Sequence, residues 1–412
     1  MNLEPLAAHP AVRAARTVLR DRDRATVEEQ VQLASIPAPS GMEGERGAYV
    51  AERFRELDLA GVAVDEVGNV LGALTASTSP GGQAKSGSGG EPILVTAHLD
   101  TIFPDGTPIT PRTKGDRIFA PGITDNCRGL AAILAIGTAI REAGVSTRRP
   151  LVFIATVGEE GVGDLCGVKH LFRDESPFRE ASAFISIDGA GLTRIVHRAI
   201  GSCRLRVSVK GLGGHSWGDR GLANPIHALG LAIGRLRELR PDGGEAFAVN
   251  VGRIGGGTSV NAISGEAWLE LDLRSEDGPT LEGLQKRARE ILEAAVREEI
   301  DGSTRGAPLV MDIEKIGDRP CGQTPPDDPL VEAAVAATRL IGGSPKLTAS
   351  STDANVPISL GVPALAMGAG GRAGGIHTTD EWYENEGGIE GLERGLLTVL
   401  AVAGIAGLDQ EA

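Results

Sequence analysis

The sequence predicts an α/β protein in which a mostly parallel sheet, covered by helices, is interrupted by an inserted ferredoxin-like α+β unit. Three observations lead there. Between Ile93 and Gly191 apolar strand-like runs alternate with helical segments, the pattern of a parallel sheet buried on both faces. After Gly191 the order changes to β-α-β-β-α-β, the signature of a ferredoxin-like sandwich with an antiparallel sheet. A chain of 412 residues also exceeds what one ordinary core organises, so two domains are expected. The division expected is 1–197 and 318–412 for the first domain and 198–317 for the insertion.

Taken in order, residues 11–58 carry helical patterning with an amphipathic stretch from Arg46 to Leu57, broken by the turn cluster Ile36-Pro37-Ala38-Pro39-Ser40-Gly41. Val62–Asp65 and Asn69–Ala73 read as short strands, and STSPGGQAKSGSGG at 77–90 as a polar loop. ILVTAHLD, PLVFIATVGEEG and SAFISIDGAG read as buried strands, with GLAAILAIGTAIREAG as the helix joining the first two. The insertion reads as a strand at Ser202–Lys210, a helix at Pro225–Leu239, strands at Phe247–Ile254 and Glu266–Leu273, a helix at Leu281–Glu298 and a strand at Leu309–Ile313. A helix from Leu330 to Ile341, a strand near Val362–Met367, the His377 loop and a C-terminal helix complete the first domain.

Bulk composition narrows the function classes. A formal charge of −14 argues against a nucleic-acid surface, which needs clustered Lys and Arg, and favours a small molecule or short peptide as partner. The N-terminal segment lacks the uninterrupted apolar run of a signal peptide, and no later stretch reaches the length of a membrane span. A cytoplasmic location without membrane association is therefore expected. Cys127, Cys166, Cys203 and Cys321 are scattered without a C-x-x-C pair, so neither a zinc knuckle nor a disulfide framework is indicated.

The polar residues at the carboxyl ends of the apolar runs carry the chemistry. His98, Asp100, Glu159, Glu160 and Asp188 each follow such a run, and open α/β sheets bind ligands outside those strand ends. Any one of these groups alone is an ordinary strand-end or surface residue. Together with Asp125 and His377 they supply two imidazoles and five carboxylates, a donor set suited to divalent metal. So many carboxylates in one place are electrostatically costly without cations, and two metals suit that charge better than one.

The carriers VTAHLDTIFP, PGITDNCRGLAA, ATVGEEGVGDLCG, ISIDGAG, GLGGHSWGD, GGGTSVNAISGEAWLELDLRSED, SSTDANVP and GIHTTDEWYE resemble, in this order and over nearly the whole chain, the co-catalytic zinc peptidases and deacylases. That family includes carboxypeptidase G, acetylornithine deacetylase, succinyl-diaminopimelate desuccinylase and tripeptide aminopeptidase. The resemblance implies two Zn2+ per subunit, with Co2+ or Mn2+ as substitutes. It makes Asp125 the bridging carboxylate, His98 and Asp188 the further ligands of one ion, and Glu160 and His377 those of the other. It implies that Asp100 orients His98, that Glu159 is the general base, and that the Asp125-Asn126 peptide is cis. It also implies a homodimer, with the inserted unit as lid and dimerisation element and with His215 reaching across to stabilise the oxyanion. Asn261 and Arg274 would grip the substrate.

The expected activity is hydrolysis of an amide or peptide bond in a short peptide or an N-acyl amino acid. Within the family, amino- and dipeptidases tend to carry Asp at the position of Asp188 and deacylases and carboxypeptidases Glu, which tilts the expectation toward a di- or tripeptidase. An N-acyl amino acid deacylase or carboxypeptidase is the alternative. A third reading takes Gly214-His215-Ser216-Trp217-Gly218 as a G-x-S-x-G nucleophile, with Asp272 or Asp353 and His377 completing a serine triad. That elbow needs a strand running straight into a helix, whereas the next helix here is expected only near Pro225.

Overall fold

Strand Ile93–His98 is buried along its whole length because its apolar run has to face helices on both sides of a sheet. It pairs in parallel with Leu151–Thr156 on one side, His98 opposite Thr156, and with Ala183–Ile187 on the other. Ala364–Met367 continues the parallel order beyond Ala183–Ile187, with Met367 opposite Ile187. Antiparallel strands finish the edges. Val70–Leu74 lies against Leu151–Thr156 with Ala60–Val64 outside it. Arg194–Ala199 lies against Ala364–Met367 and itself carries Lys346–Ser350 in parallel.

The computed structural model describes residues 1–74, 90–241, 246–306 and 308–408. The polar segment read as a loop at 77–90 lies outside the described residues except for Gly90. The chain divides into two compact units, Met1–Ala199 with Gln323–Ala412, and Ile200–Gly322. Among the described residues no helix is long and apolar enough to cross a membrane.

In the first unit helix Cys127–Glu142 is buried on most of its surface and starts at Asn126, whose side chain accepts the Gly129 N–H, a standard N-cap arrangement. The C-terminal helix Gly388–Ala403 is buried almost throughout and packs into the same apolar core. A second, small sheet has the order Arg372–Gly374, Trp382–Glu384, Arg117–Phe119, Arg112–Lys114. Its central pair sets Trp382 opposite Phe119, so the chain leaving Phe119 and the turn before Trp382 run side by side. These three-residue strands are absent from the sequence reading. They are too short, and too exposed at Arg112–Lys114, to show a period.

The second unit holds a four-stranded antiparallel sheet in the order Phe247–Gly256, Glu266–Ser275, Gly201–Lys210, Val310–Arg319. Strict alternation of burial along Glu266–Ser275 shows one face turned to a core. Helices Pro225–Leu236 and Gly278–Gly302 cover that face. Each has proline in its first turn after a capping residue, Pro225 directly after Asn224 and Pro279 two positions after Asp277. This is the predicted ferredoxin-like order.

Candidate metal centre

The parallel strands end at one edge of the sheet, and the loops that follow them converge there. His98 is the last residue of its strand, Asp188 directly follows Ile187, and Glu159 and Glu160 stand three and four residues beyond Thr156. Asp125 arrives from the loop after Phe119 and His377 from the turn after Gly374. All six belong to the first unit.

Asp125 stands between the two imidazoles. His98 Nε2 lies 3.0 Å from Asp125 Oδ1 and 3.8 Å from Asp188 Oδ1. His377 Nε2 lies 3.2 Å from Asp125 Oδ2 and 3.2 Å from Glu160 Oε1. Two ligand sets result, His98 with Asp125 and Asp188, and Asp125 with Glu160 and His377, with the donor atoms of each set within 4.8 Å of one another. Glu159 also comes within this distance of His98 and Glu160, so distance alone leaves it either a ligand or a neighbour of the ligands.

Asn126 ties two of these loops together. Its Oδ1 accepts the Gly129 and Gly189 N–H groups and its Nδ2 donates to the Ile187 carbonyl, which fixes Asp188 beside Asp125. A Cβ at Gly129 would lie 2.2 Å from the Ile187 carbonyl oxygen, so only glycine allows the helix to start this close to the strand. The Asp125-Asn126 peptide is cis. His377 adopts a left-handed backbone at φ 65°, which a residue other than glycine reaches only where its surroundings hold it.

The cluster is arranged to meet positive charge. Burial works against the ionised form of Asp125, yet hydrogen bonds to His377 and His98 hold its carboxyl well below the usual carboxylate range. Burial opposes a charge on His98, but hydrogen bonds to Asp100, Asp125 and Asp188 raise it well above the ordinary imidazole value. His377 is raised to about 9 chiefly by its bond to Asp125. Burial and then the Asp125 charge push Glu160 up to about 7. The protein alone balances these carboxylates with protons on the imidazoles, at the atoms a metal would take. The nitrogen and carboxylate donors, and one carboxylate facing both sets, fit a pair of divalent cations.

A surrounding shell fixes these groups. Asp100 is fully buried, sits 3.4 Å from His98 Nδ1, and accepts the Ser40 hydroxyl at 2.6 Å. Arg46, buried in helix Gly44–Glu56, donates to the Leu99 and Ile36 carbonyls. Asp353 is also fully buried, accepts the Thr156 hydroxyl at 2.6 Å, and is pushed up to about 6 by burial. Glu381 is buried against the Asp125 loop. Sequence alone does not mark Ser40, Arg46 and Glu381 as site residues. Ser40 lies in the Ile36–Gly41 turn cluster, Arg46 at the start of an amphipathic helical stretch and Glu381 in GIHTTDEWYE, and only the fold shows where their side chains go.

The remaining predicted residues lie in the second unit. His215 Nδ1 accepts the N–H groups of Trp217 and Gly218 at 3.2 Å each, which leaves the ring proton on Nε2. Asn261 is exposed and accepts the Ser259 hydroxyl at 2.6 Å. Arg274 Nε donates to Asp272 on its own strand at 2.7 Å. The serine reading is not supported. A two-residue strand, Gly214–His215, leads into a turn, and the next helix begins at Pro225, so no nucleophile elbow forms.

Comparison with known proteins agrees with this architecture. The model of peptidase family M20/M25/M40 matches residues 94–403. Acetylornithine deacetylase from Klebsiella pneumoniae (strain 342) is 29% identical over 317 residues, covering 73% of this chain and 78% of that protein. Among solved structures, aminopeptidase PepT from Bacillus cereus ATCC 10987 superposes with a TM-score of 0.71 at 25% identity, covering 92% of this chain and 97% of the other. The Bacillus subtilis YXEP protein, described as a dinuclear metal-binding peptidase, shares the fold with a TM-score of 0.64 at 16% identity over 93% of this chain and 98% of its own.

Proposed function

This chain belongs to peptidase family M20/M25/M40, hydrolases of peptide and amide bonds, and on that premise we propose that it is a dinuclear metalloenzyme cleaving di- or tripeptides. The observation that carries the reading is Asp125, which turns one carboxylate oxygen to His98 and the other to His377. His98, Asp125 and Asp188 would hold one cation, and Asp125, Glu160 and His377 the other, zinc being the expected metal. Bound there, the pair supplies Lewis-acid polarisation of a carbonyl and acidifies water.

The chain's own groups do the rest. Glu159 is buried beside the cluster and in this reading takes the proton of the attacking water and delivers it to the departing amine. Asp100 fixes the orientation of His98 through Nδ1, as carboxylate partners of metal-binding histidines do. The inserted unit, expected at 198–317, serves as lid and dimerisation element. Reaching across the dimer, His215 stabilises the developing oxyanion with a hydrogen bond donated from Nε2. Asn261 and Arg274 hold the substrate, Arg274 exchanging its Asp272 contact for a carboxylate.

Asp188 and the likeness to aminopeptidase PepT favour a peptidase that releases an N-terminal residue. The likeness to acetylornithine deacetylase supports the second reading, an N-acyl amino acid deacylase. Assay of the zinc-loaded protein against free tripeptides, dipeptides and N-acetyl amino acids separates them. Higher kcat/KM on tripeptides or dipeptides supports the first. Turnover of N-acetyl amino acids alone overturns it.

A further inference from the structure

Glu381 lies four residues after His377 and is fully buried. Its Oε1 accepts the N–H groups of Thr124 at 2.8 Å and Asp125 at 3.0 Å together with the Thr124 hydroxyl, and its Oε2 accepts the Gly122 N–H at 3.0 Å. Four donors from one four-residue segment therefore meet on one carboxylate. The backbone of the same residue faces both ways. Its N–H donates to the Thr378 carbonyl at 3.1 Å, beside His377, and its carbonyl accepts the Ala120 N–H at 3.1 Å.

Chemistry explains why this group is a carboxylate. Four converging donors require a partner that only accepts, and an ionised carboxylate offers about four acceptor sites. An amide would turn an NH2 group toward N–H donors, and a shorter acid would not reach all of them. Glu381 thus joins two loops that arrive at the centre from positions more than 250 residues apart in sequence, the Asp125 and His377 side chains being separated by 252 positions.

We propose that Glu381 is a positioning residue of the metal centre, clasping residues 122–125 to the His377 turn so that Asp125 presents its two oxygens to two separate ligand sets. This rests on the reading that Asp125 and His377 are metal ligands. Glu381 belongs to neither ligand set, its carboxylate oxygens being taken up by residues 122–125. It sets the distance between ligands belonging to different loops, as outer partners that orient metal ligands commonly do.

The test compares the parent protein with Glu381→Gln and Glu381→Asp, each freed of metal with a chelator and titrated with Zn2+ against a chromophoric competitor. The parent takes up two equivalents. Each variant binds Zn2+ about tenfold or more weakly, loses kcat while KM stays within about threefold, and shows altered visible absorption when loaded with Co2+. A role in folding alone would lower the urea midpoint of the metal-free protein and leave Zn2+ affinity and the Co2+ spectrum unchanged, which overturns the proposal. Should Glu381→Gln fail to fold, Glu381→Asp, which keeps the charge and only shortens the reach, is read in the same way. A parent protein that binds no metal would instead defeat the dinuclear reading itself, and the positioning role with it.

Discussion

Asp100 accepts the backbone N–H of Glu160 on Oδ2 at 2.9 Å. Its Oδ1 accepts the N–H of Glu159 at 2.9 Å and lies 3.4 Å from His98 Nδ1. One buried carboxylate therefore fixes the end of strand Ile93–His98 relative to the loop that carries both glutamates. Replacing Asp100 by Asn puts an amide NH2 where one of these acceptors is needed. Asp100→Asn is predicted to weaken Zn2+ binding by about 10- to 100-fold, measured by competitive titration. Unchanged affinity would remove Asp100 from the centre.

Glu159 stands close enough to His98 and Glu160 to be a ligand, and the proposed mechanism makes it the base. Glu159→Gln distinguishes the two. The prediction is full metal content by elemental analysis with kcat reduced about 10²- to 10⁴-fold. Loss of metal in this variant would make Glu159 a ligand.

Metal uptake is predicted to release protons and to strengthen with pH. In the metal-free protein His377 is raised to about 9 and Glu160 to about 7, so at pH 6 both carry protons that a metal must displace. As pH rises through 7 and then 9 that competition fades, and affinity climbs by about tenfold per pH unit for each proton displaced. Titration calorimetry in buffers of differing ionisation enthalpy counts the protons. A pH-independent affinity would contradict the proton-balanced cluster.

Arg128 predicts a stability effect away from the metal. It is fully buried, donates to the carbonyls of Ala369 and Gly388, and stacks over Tyr383 at 5.1 Å. Arg128→Met leaves those carbonyls without their donor inside the core, a cost of about 1–3 kcal/mol for each buried group left unsatisfied. The urea midpoint should fall with the slope unchanged. A midpoint equal to that of the parent would show that water or rearrangement replaces the guanidinium.

What the sequence reveals and what it hides divide along physical lines. Ile93–His98 and Ala183–Ile187 are legible because a strand buried on both faces must be apolar throughout, so a polar residue at its end stands out. The alternation of Glu266–Ser275 is legible for the complementary reason, one face being covered. The small sheet around Phe119 and Trp382 is not, since three residues carry no period. Glu381 is hidden more deeply. Its partners are chiefly backbone N–H groups, which every sequence contains, and an acid in an acidic motif reads as solvated until the fold buries it.

The central claim is that Asp125 serves two cations at once, and metal counting tests it most directly. Elemental analysis of Zn2+-loaded protein after exhaustive dialysis should give two equivalents per chain for the parent and less than one for Asp125→Ala, because each ligand set loses its shared member. A single equivalent in the parent, or two retained by Asp125→Ala, would contradict the account.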